Sequence, residues 1–320
     1  MTLTEIIGCL PGTPAADEFS LVLPRMVIRA LCVGLLGLIA MVCIVRAQQS
    51  VAHPDFVVAK PVINMYAKPL VESEVVSQAI YGTGVQLLKQ QEDWISIRSA
   101  DGYEGWVEAS GLKALQAGGY AAEGKLVQVA GLSVNVYRDP SVTHHAPLLQ
   151  LPWEARLEAA PGAAEESERW LRVRLVDGQL GWVQRGDLRQ ASSPLSIDET
   201  IALAQRFMGI TYTWGGVSSF GFDCSGFTQM LMRQRGILMP RDADVQAAWS
   251  GLVAVERKDL KAGDLLFFGA DAAHITHTGM YIGNGEFIHD TTHDHPGVQI
   301  SRVNDEPWTR ILVAARRAKQ

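Results

Sequence analysis

A stretch that opens on Trp94, turns at Asp101-Gly102 and closes on Gly105-Trp106-Val107 returns 76 positions later as Trp170, Asp177-Gly178 and Gly181-Trp182-Val183. A second echo, Asn64, Tyr66 and Pro69 against Asn135, Tyr137 and Pro140, is offset by 71. The period marks a duplicated module, and the difference (76 − 71 = 5) is an insertion in the second copy, expected in the Pro161 to Glu168 loop. Ile95 and Ile97 alternate with Trp94, Ser96 and Arg98, and Asp-Gly is a hairpin turn, so each copy reads as all-β. Two small β domains over residues 52–116 and 122–191 follow, which leaves the chemistry to the C-terminal third.

At roughly 150 residues per domain, 320 residues hold two or three. With 48% apolar and 19% charged residues the chain must fold rather than stay disordered. Its net charge of −6, without a dense basic run, argues against a nucleic-acid partner. The longest apolar stretch, Ala30 to Val45, is shorter than the ~20 residues of a comfortable span. Arg25 and Arg29 before it, Ala47 after it and a candidate start at Met26 make a signal peptide within residues 1–47, cut after Ala47. The alternative is an uncleaved membrane anchor over residues 26–47; either way the protein is exported, to the periplasm or another extracytoplasmic space. Cys9, Cys32 and Cys43 all lie in that segment, so Cys224 alone remains. A lone thiol in a compartment where disulfides form points to a nucleophile over an inert core residue.

From Ser192 the pattern changes. Ser196 to Glu199 is a capping box opening a helix with Ile197, Ile201, Ala204 and Met208 on one face and Gly209 at its end. Cys224 stands at the first turn of a second helix, where free N–H groups and the helix dipole are expected to lower the thiol pKa and later hold an oxyanion. The segment His274 to His289 is a hairpin turning at Gly283-Asn284-Gly285. A two-residue Asn284-Gly285 turn alone would put His277 and His289 on opposite faces. A three-residue loop pairs Ile282 with Glu286 and sets His289 across from Gly279, on the face of His277. That second register is expected, with a bulge as the alternative. Asp264 reads as a turn and strand-entry residue, and the tryptophans of the β modules as core.

These residues resemble the NlpC-type cell-wall cysteine peptidases. The pattern stands here as Tyr212-Thr213-Trp214-Gly215-Gly216, Asp223-Cys224-Ser225-Gly226-Phe227, Met239-Pro240-Arg241, Ala262-Gly263-Asp264-Leu265, His277 to Gly283 and Phe287-Ile288-His289, within residues 195–318. The resemblance implies an α+β papain-like domain preceded by two small all-β SH3-like barrels. It implies Cys224 as nucleophile, His277 as general base and His289 as the group that orients it. The subgroup with two barrels and Arg-Asp after the Pro cuts between D-Glu and the diamino acid of stem peptides with a free N-terminal L-Ala. By that resemblance Asp242 reads the L-Ala ammonium, Tyr212, Asp223, Ser225 and Arg241 line the substrate pocket, and Glu74 and Tyr103 close it from the first barrel. Ala243 departs from the Ser common in the subgroup. No cofactor is expected and no metal, although His289, His293 and His295 have a spacing that zinc would accept; a monomer is expected. The rivals are an endopeptidase acting on intact peptidoglycan, an amidase or acyltransferase on the same fold, and a wall-binding protein with a vestigial catalytic domain.

Overall fold

The computed structural model describes residues 54–116, 120–121, 125–160, 168–190 and 194–319. The signal or anchor segment, with Cys9, Cys32 and Cys43, lies outside the described residues, as does most of the loop expected to hold the five-residue insertion. Among the described residues no helix is long and apolar enough to cross a membrane.

The first repeat is a seven-stranded antiparallel sheet. Its strands are β1 (Phe56–Val58), β2 (Val62–Tyr66), β3 (Val75–Ile80), β4 (Gly84–Gln91), β5 (Trp94–Arg98), β6 (Glu104–Glu108) and β7 (Leu112–Ala114), in the order β3-β2-β6-β5-β4-β1-β7. The Asp101-Gly102 turn joins β5 to β6 with Trp94 opposite Glu108, and Ile95 and Ile97 point into a core with Val58, Met65 and Val107. The second repeat comprises β8 (Leu126–Val129), β9 (Ser133–Val136), β10 (Leu149–Pro152), β11 (Arg156–Ala159), β12 (Trp170–Arg174), β13 (Leu180–Gln184) and β14 (Leu188–Gln190). Five of these form one sheet, and β9 and β10 form a ribbon. The echo of Asn64 and Tyr66 in Asn135 and Tyr137 now has a physical cause. In each copy the tyrosine ring meets a tryptophan edge-on, Tyr66 with Trp94 at 5.5 Å and Tyr137 with Trp170 at 5.7 Å. In each, the asparagine amide donates to the tyrosine hydroxyl, at 3.4 and 3.3 Å.

The C-terminal region starts with α1 (Ile197–Arg206), whose Ser196 and Glu199 make both halves of the capping box. The face it buries is Thr200, Leu203, Ala204 and then Phe207, one residue off the expected stripe, and Met208 is exposed. Phe207 decides the rotation, because its ring lies edge-on to Trp153, Phe222 and Phe227 in the main core. After a short β15 (Val217–Ser218) and β16 (Gly221–Phe222) come α2 (Cys224–Gln234) and α3 (Ala243–Ala248). The remaining strands are β17 (Leu252–Ala254), β18 (Leu265–Asp271), β19 (His274–Gly283), β20 (Glu286–Thr291), β21 (Gly297–Arg302) and β22 (Leu312–Ala318), with α4 (Trp308–Ile311) before the last. They form one sheet in the order β17-β22-β18-β19-β20-β21. Phe267, Met280 and Ile288 face the core under α2, whereas Phe268 and Phe287 face Trp308 on the other side. Asp264 enters β18 as a turn residue, its carboxylate accepting from the Lys261 amide and the Arg317 guanidinium.

The histidine hairpin corrects the expected turn but keeps the register expected at the histidines, reached through the bulge given as the alternative. Gly283 pairs with Glu286, so the turn is the two-residue Asn284-Gly285, with φ of 54° and 79°. A bulge between Tyr281 and Gly283 then shifts the strand by one residue, so Tyr281 pairs with Phe287 and Met280 with Ile288. Gly279 is thereby brought against His289, and His277 and His289 share a face. A Cβ added at Gly279 would lie 2.9 Å from His289 Cβ and 3.0 Å from the Ile288 carbonyl oxygen. Gly279→Ala is therefore expected to lower unfolding stability by about 1–3 kcal/mol in denaturant titration, by overpacking against backbone that cannot yield.

Candidate active site

Asp223 caps α2, and every polar atom around the cap converges on its carboxylate. One oxygen accepts from the Gly226 amide at 2.7 Å and the Ser225 hydroxyl at 3.2 Å. The other accepts from the Gly215 amide at 3.0 Å and from the Arg241 guanidinium in a buried ion pair. Arg241 also donates to Ser225 Oγ at 2.7 Å and, across to the first barrel, to Ser77 Oγ at 3.3 Å. Gly226 has no room for a side chain, since a Cβ there would sit 2.1 Å from the Gly216 carbonyl oxygen. The Tyr-x-Trp-Gly-Gly turn thus lies directly on the start of α2 and fixes where Cys224 stands.

Cys224 is buried and unoxidised. The expected fall of its pKa is not what its surroundings produce. Burial pushes the thiol up to about 12, and the Asp223 charge adds to this. The Thr278 and Ser225 amides and Arg241 act in the opposite sense without winning. The helix N-terminus offers its N–H groups, but the capping carboxylate beside the sulfur cancels their field. At neutral pH the Cys224 thiol is therefore protonated.

His277 Nε2 and His289 Nδ1 are 2.7 Å apart, and His289 Nε2 lies 3.0 Å from Ser301 Oγ. Two tautomer sets satisfy the row, and the one in which His277 Nε2–H donates to His289 and His289 Nε2–H donates to Ser301 leaves His277 Nδ1 as a basic nitrogen. Burial pulls the His277 pKa down to about 4, with Asp223 opposing, and burial takes His289 well below the ordinary value too. Both rings are neutral at neutral pH. Trp308 packs on them, tilted over His277 at 5.3 Å and edge-on to His289 at 4.7 Å.

A cleft of ≈ 520 Å³ opens at Cys224. Tyr212, Asp223, Ser225, Arg241 and Asp242 line it, and Glu74 and Tyr103 reach it from the first barrel. All seven residues expected from sequence to bind substrate are therefore brought together, in two different situations. Asp223, Ser225 and Arg241 spend their polar groups on one another, whereas Asp242 faces the cleft. Its carboxylate accepts from the Tyr103 hydroxyl at 3.1 and 3.2 Å. Asp242 precedes α3 but its side chain makes no cap hydrogen bond, so helix capping does not account for it. Burial raises its pKa, which the Tyr103 hydrogen bond and Arg241 counter. Burial raises that of Tyr212 as well, with Cys224 the nearest charge effect. Sequence reading missed Ser77, Thr278, Ser301 and Trp308. The Trp308 aromatic has no motif near it, and the others act through positions far apart in the chain. Among the described residues no three His, Cys, Asp or Glu side chains are grouped to hold a metal ion, and His289 Nδ1 is spent on His277.

The NlpC/P60 family profile matches residues 209–317, and that of the bacterial dipeptidyl-peptidase SH3 domain matches residues 65–112. A gamma-D-glutamyl-L-lysine dipeptidyl-peptidase of Bacillus cereus is 31% identical over 77% of this chain and 75% of its own length. The chain belongs to the NlpC/P60 family. An enzyme of the same name from Bacillus subtilis is 28% identical over 77% of this chain and 82% of that one. The crystal structure of an NlpC/P60 family protein from Bacillus cereus superposes with a TM-score of 0.70 at 25% identity, covering 82% of this chain and 99% of the other. The fold is thus an SH3-like all-β region followed by the papain-like NlpC/P60 domain. The protein is a cysteine peptidase of that family, acting on peptidoglycan-derived substrates.

In this NlpC/P60 peptidase the base must be neutral to take the thiol proton. With His277 as that base, as the resemblance implies, and its pKa held near 4, the acid limb of kcat/KM should fall near pH 4, well below the 6.5 of a free imidazole. Activity lost as pH drops through 6.5 would contradict the burial argument; peptide hydrolysis from pH 3 to 8 measures it.

Proposed function

We propose that the enzyme hydrolyses the bond between γ-D-Glu and the diamino acid of peptidoglycan stem peptides whose N-terminal L-Ala is free, as in the turnover of released wall peptides. The observation that carries this is the Asp242 carboxylate, facing the cleft and held by Tyr103 of the first barrel rather than capping α3. A carboxylate in a cleft walled on one side by another domain suits an ammonium at the end of a short peptide, and an intact glycan strand much less. The dipeptidyl-peptidase names of the two Bacillus relatives support the same bond.

On this reading Cys224 Sγ attacks the γ-carbonyl carbon as its proton passes to His277 Nδ1, so no thiolate has to exist beforehand. His289, fixed by Ser301, holds the ring and shares the charge of the imidazolium. The C–N bond then breaks as the imidazolium returns the proton to the departing α-amine of the diamino acid. Water deprotonated by the same nitrogen finally hydrolyses the thioester. Cys224→Ala should abolish turnover, His277→Ala should be nearly as damaging, and His289→Ala less so. Export, with removal of residues 1–47 or retention through residues 26–47, belongs to the same proposal, because the substrate arises outside the cytoplasm.

The amine requirement is the discriminating test. A charge-assisted hydrogen bond of roughly 1.5–3 kcal/mol predicts that N-acetylation of L-Ala-γ-D-Glu-diamino acid peptides lowers kcat/KM about 10²-fold. Asp242→Asn should lose a similar factor on free peptides and little more on acetylated ones, since both changes remove one interaction. Equal kcat/KM for free and acetylated peptides would refute the reading in favour of an endopeptidase acting on intact wall.

A further inference from the structure

Asp290 is the residue after the proposed base-orienting histidine, and it has no part in the chemistry above. It is wholly buried, and neither of its carboxyl oxygens has a hydrogen-bond partner. The Thr291 amide is near enough to favour its charge without meeting hydrogen-bond geometry. One further side-chain oxygen on this sheet is also buried and unpartnered, Thr278 Oγ1. The hairpin register brings the two together. Met280 pairs with Ile288, so the ladder carried two residues on sets Thr278 opposite Asp290, on the face that Met280 and Ile288 turn towards α2. On its other side Asp290 pairs with Val298 of β21, an apolar member of the same core. Buried polar groups in folded proteins are almost always satisfied, by each other, by a proton or by an internal water.

The position matters because the Thr278 amide is one of the two backbone N–H groups that act on the Cys224 sulfur. Thr278 therefore touches the proposed nucleophile with its backbone and the orphan carboxyl's site with its side chain. We propose that Asp290 is a positioning residue of the reaction, uncharged in the working enzyme and hydrogen-bonded to the Thr278 hydroxyl through one internal water, so that it holds the strand whose amide faces Cys224. This rests on Cys224 being the nucleophile. The titratable groups around Asp290 are Asp223 at the start of α2 and Tyr212 before β15, with Arg241 tied to Asp223; His289 on its own strand turns to the opposite face. Burial, and then the Asp223 charge, push the Asp290 carboxyl up to about 8, which agrees with a neutral acid at neutral pH.

Ionisation of Asp290 places a second negative charge behind Thr278, near that of Asp223. Thiolate formation then becomes harder, and the developing oxyanion is repelled. The sign for folding is the same. A carboxyl raised above its unfolded value stabilises the native state fully below about pH 4 and ceases to do so as pH rises through about 8.

The test is the alkaline side of the pH dependence of the full-length enzyme and of Asp290→Asn, which keeps the shape and the neutrality but cannot ionise. Between pH 7 and 9.5, kcat/KM on a free stem tripeptide should fall about tenfold further in the unmodified enzyme than in the variant, loss of the substrate's own ammonium over that range being common to both. Alkylation of Cys224 by iodoacetamide gives a readout without substrate. Its log rate against pH should flatten around pH 8 in the unmodified protein and keep unit slope in Asp290→Asn. Should Asp290→Asn fail to fold, the unmodified curve decides alone: unit slope from pH 6.5 to 10 overturns the proposal. An alkaline fall shared equally by enzyme and variant overturns it as well. Activity surviving complete alkylation of Cys224 would instead sink the nucleophile assignment.

Discussion

The buried pair of Asp223 and Arg241 holds together parts of the chain that would otherwise have no reason to meet. Asp223 ends the glycine turn, caps α2 and fixes Ser225, while Arg241, brought in from the Leu-Met-Pro-Arg segment, neutralises it and reaches Ser77 of the first barrel. A carboxylate this deep is tolerable only because four donors surround it, and removing one partner of such a pair typically costs about 3–5 kcal/mol. The same network that sets the angle of Cys224 also docks the barrel. Cleft shape and nucleophile position are therefore one property of the fold, and a change in either propagates to the other.

That arrangement carries an electrostatic consequence. Burial, with an anion beside the sulfur adding to it, keeps the thiol protonated, and burial keeps the paired imidazoles neutral. The site therefore does not store an ion pair in waiting. On the proposed mechanism charge separation is deferred to the moment of attack, and the Thr278 and Ser225 amides are those that act on the sulfur. A protonated, buried sulfur is also a poor target for oxidants.

Much of this was legible in the residues. The repeat fixed two β modules, and the order of short motifs fixed the residues around Cys224, because each motif satisfies itself locally through a cap, a turn or a strand entry. Three things escaped for physical reasons. The phase of α1 depended on Phe207 finding Trp153 of the second barrel, a contact between residues 54 positions apart (207 − 153). The hairpin reached the expected juxtaposition of His277 and His289 through a two-residue turn and a bulge, and a bulge has no signature in the alternation it interrupts. The direction of the thiol pKa depended on burial, and helix position alone says nothing about burial. Glu74 and Tyr103 were nameable only through resemblance, since Tyr103 and Asp242 stand 139 positions apart.

The barrels are more than appended modules. Gln229 of α2 donates to Asp101 in the hairpin turn of the first barrel, and the Val217 amide donates to Gln78 on its β3. From the second barrel, buried Glu154 receives Arg233 and Gln234 at the far end of α2, and Trp153 enters the main core. The two barrels are tied to each other where the Val176 amide donates to the Tyr81 hydroxyl. Helix α2 is thus gripped by the first barrel and Asp223 near its start and by the second barrel at its end. A domain used as a tether needs a linker and freedom to move, whereas one that supplies half of a buried ion pair and a wall of the cleft must stay in place. The geometry therefore favours barrels that determine which substrates enter over barrels that carry the enzyme to a polymer.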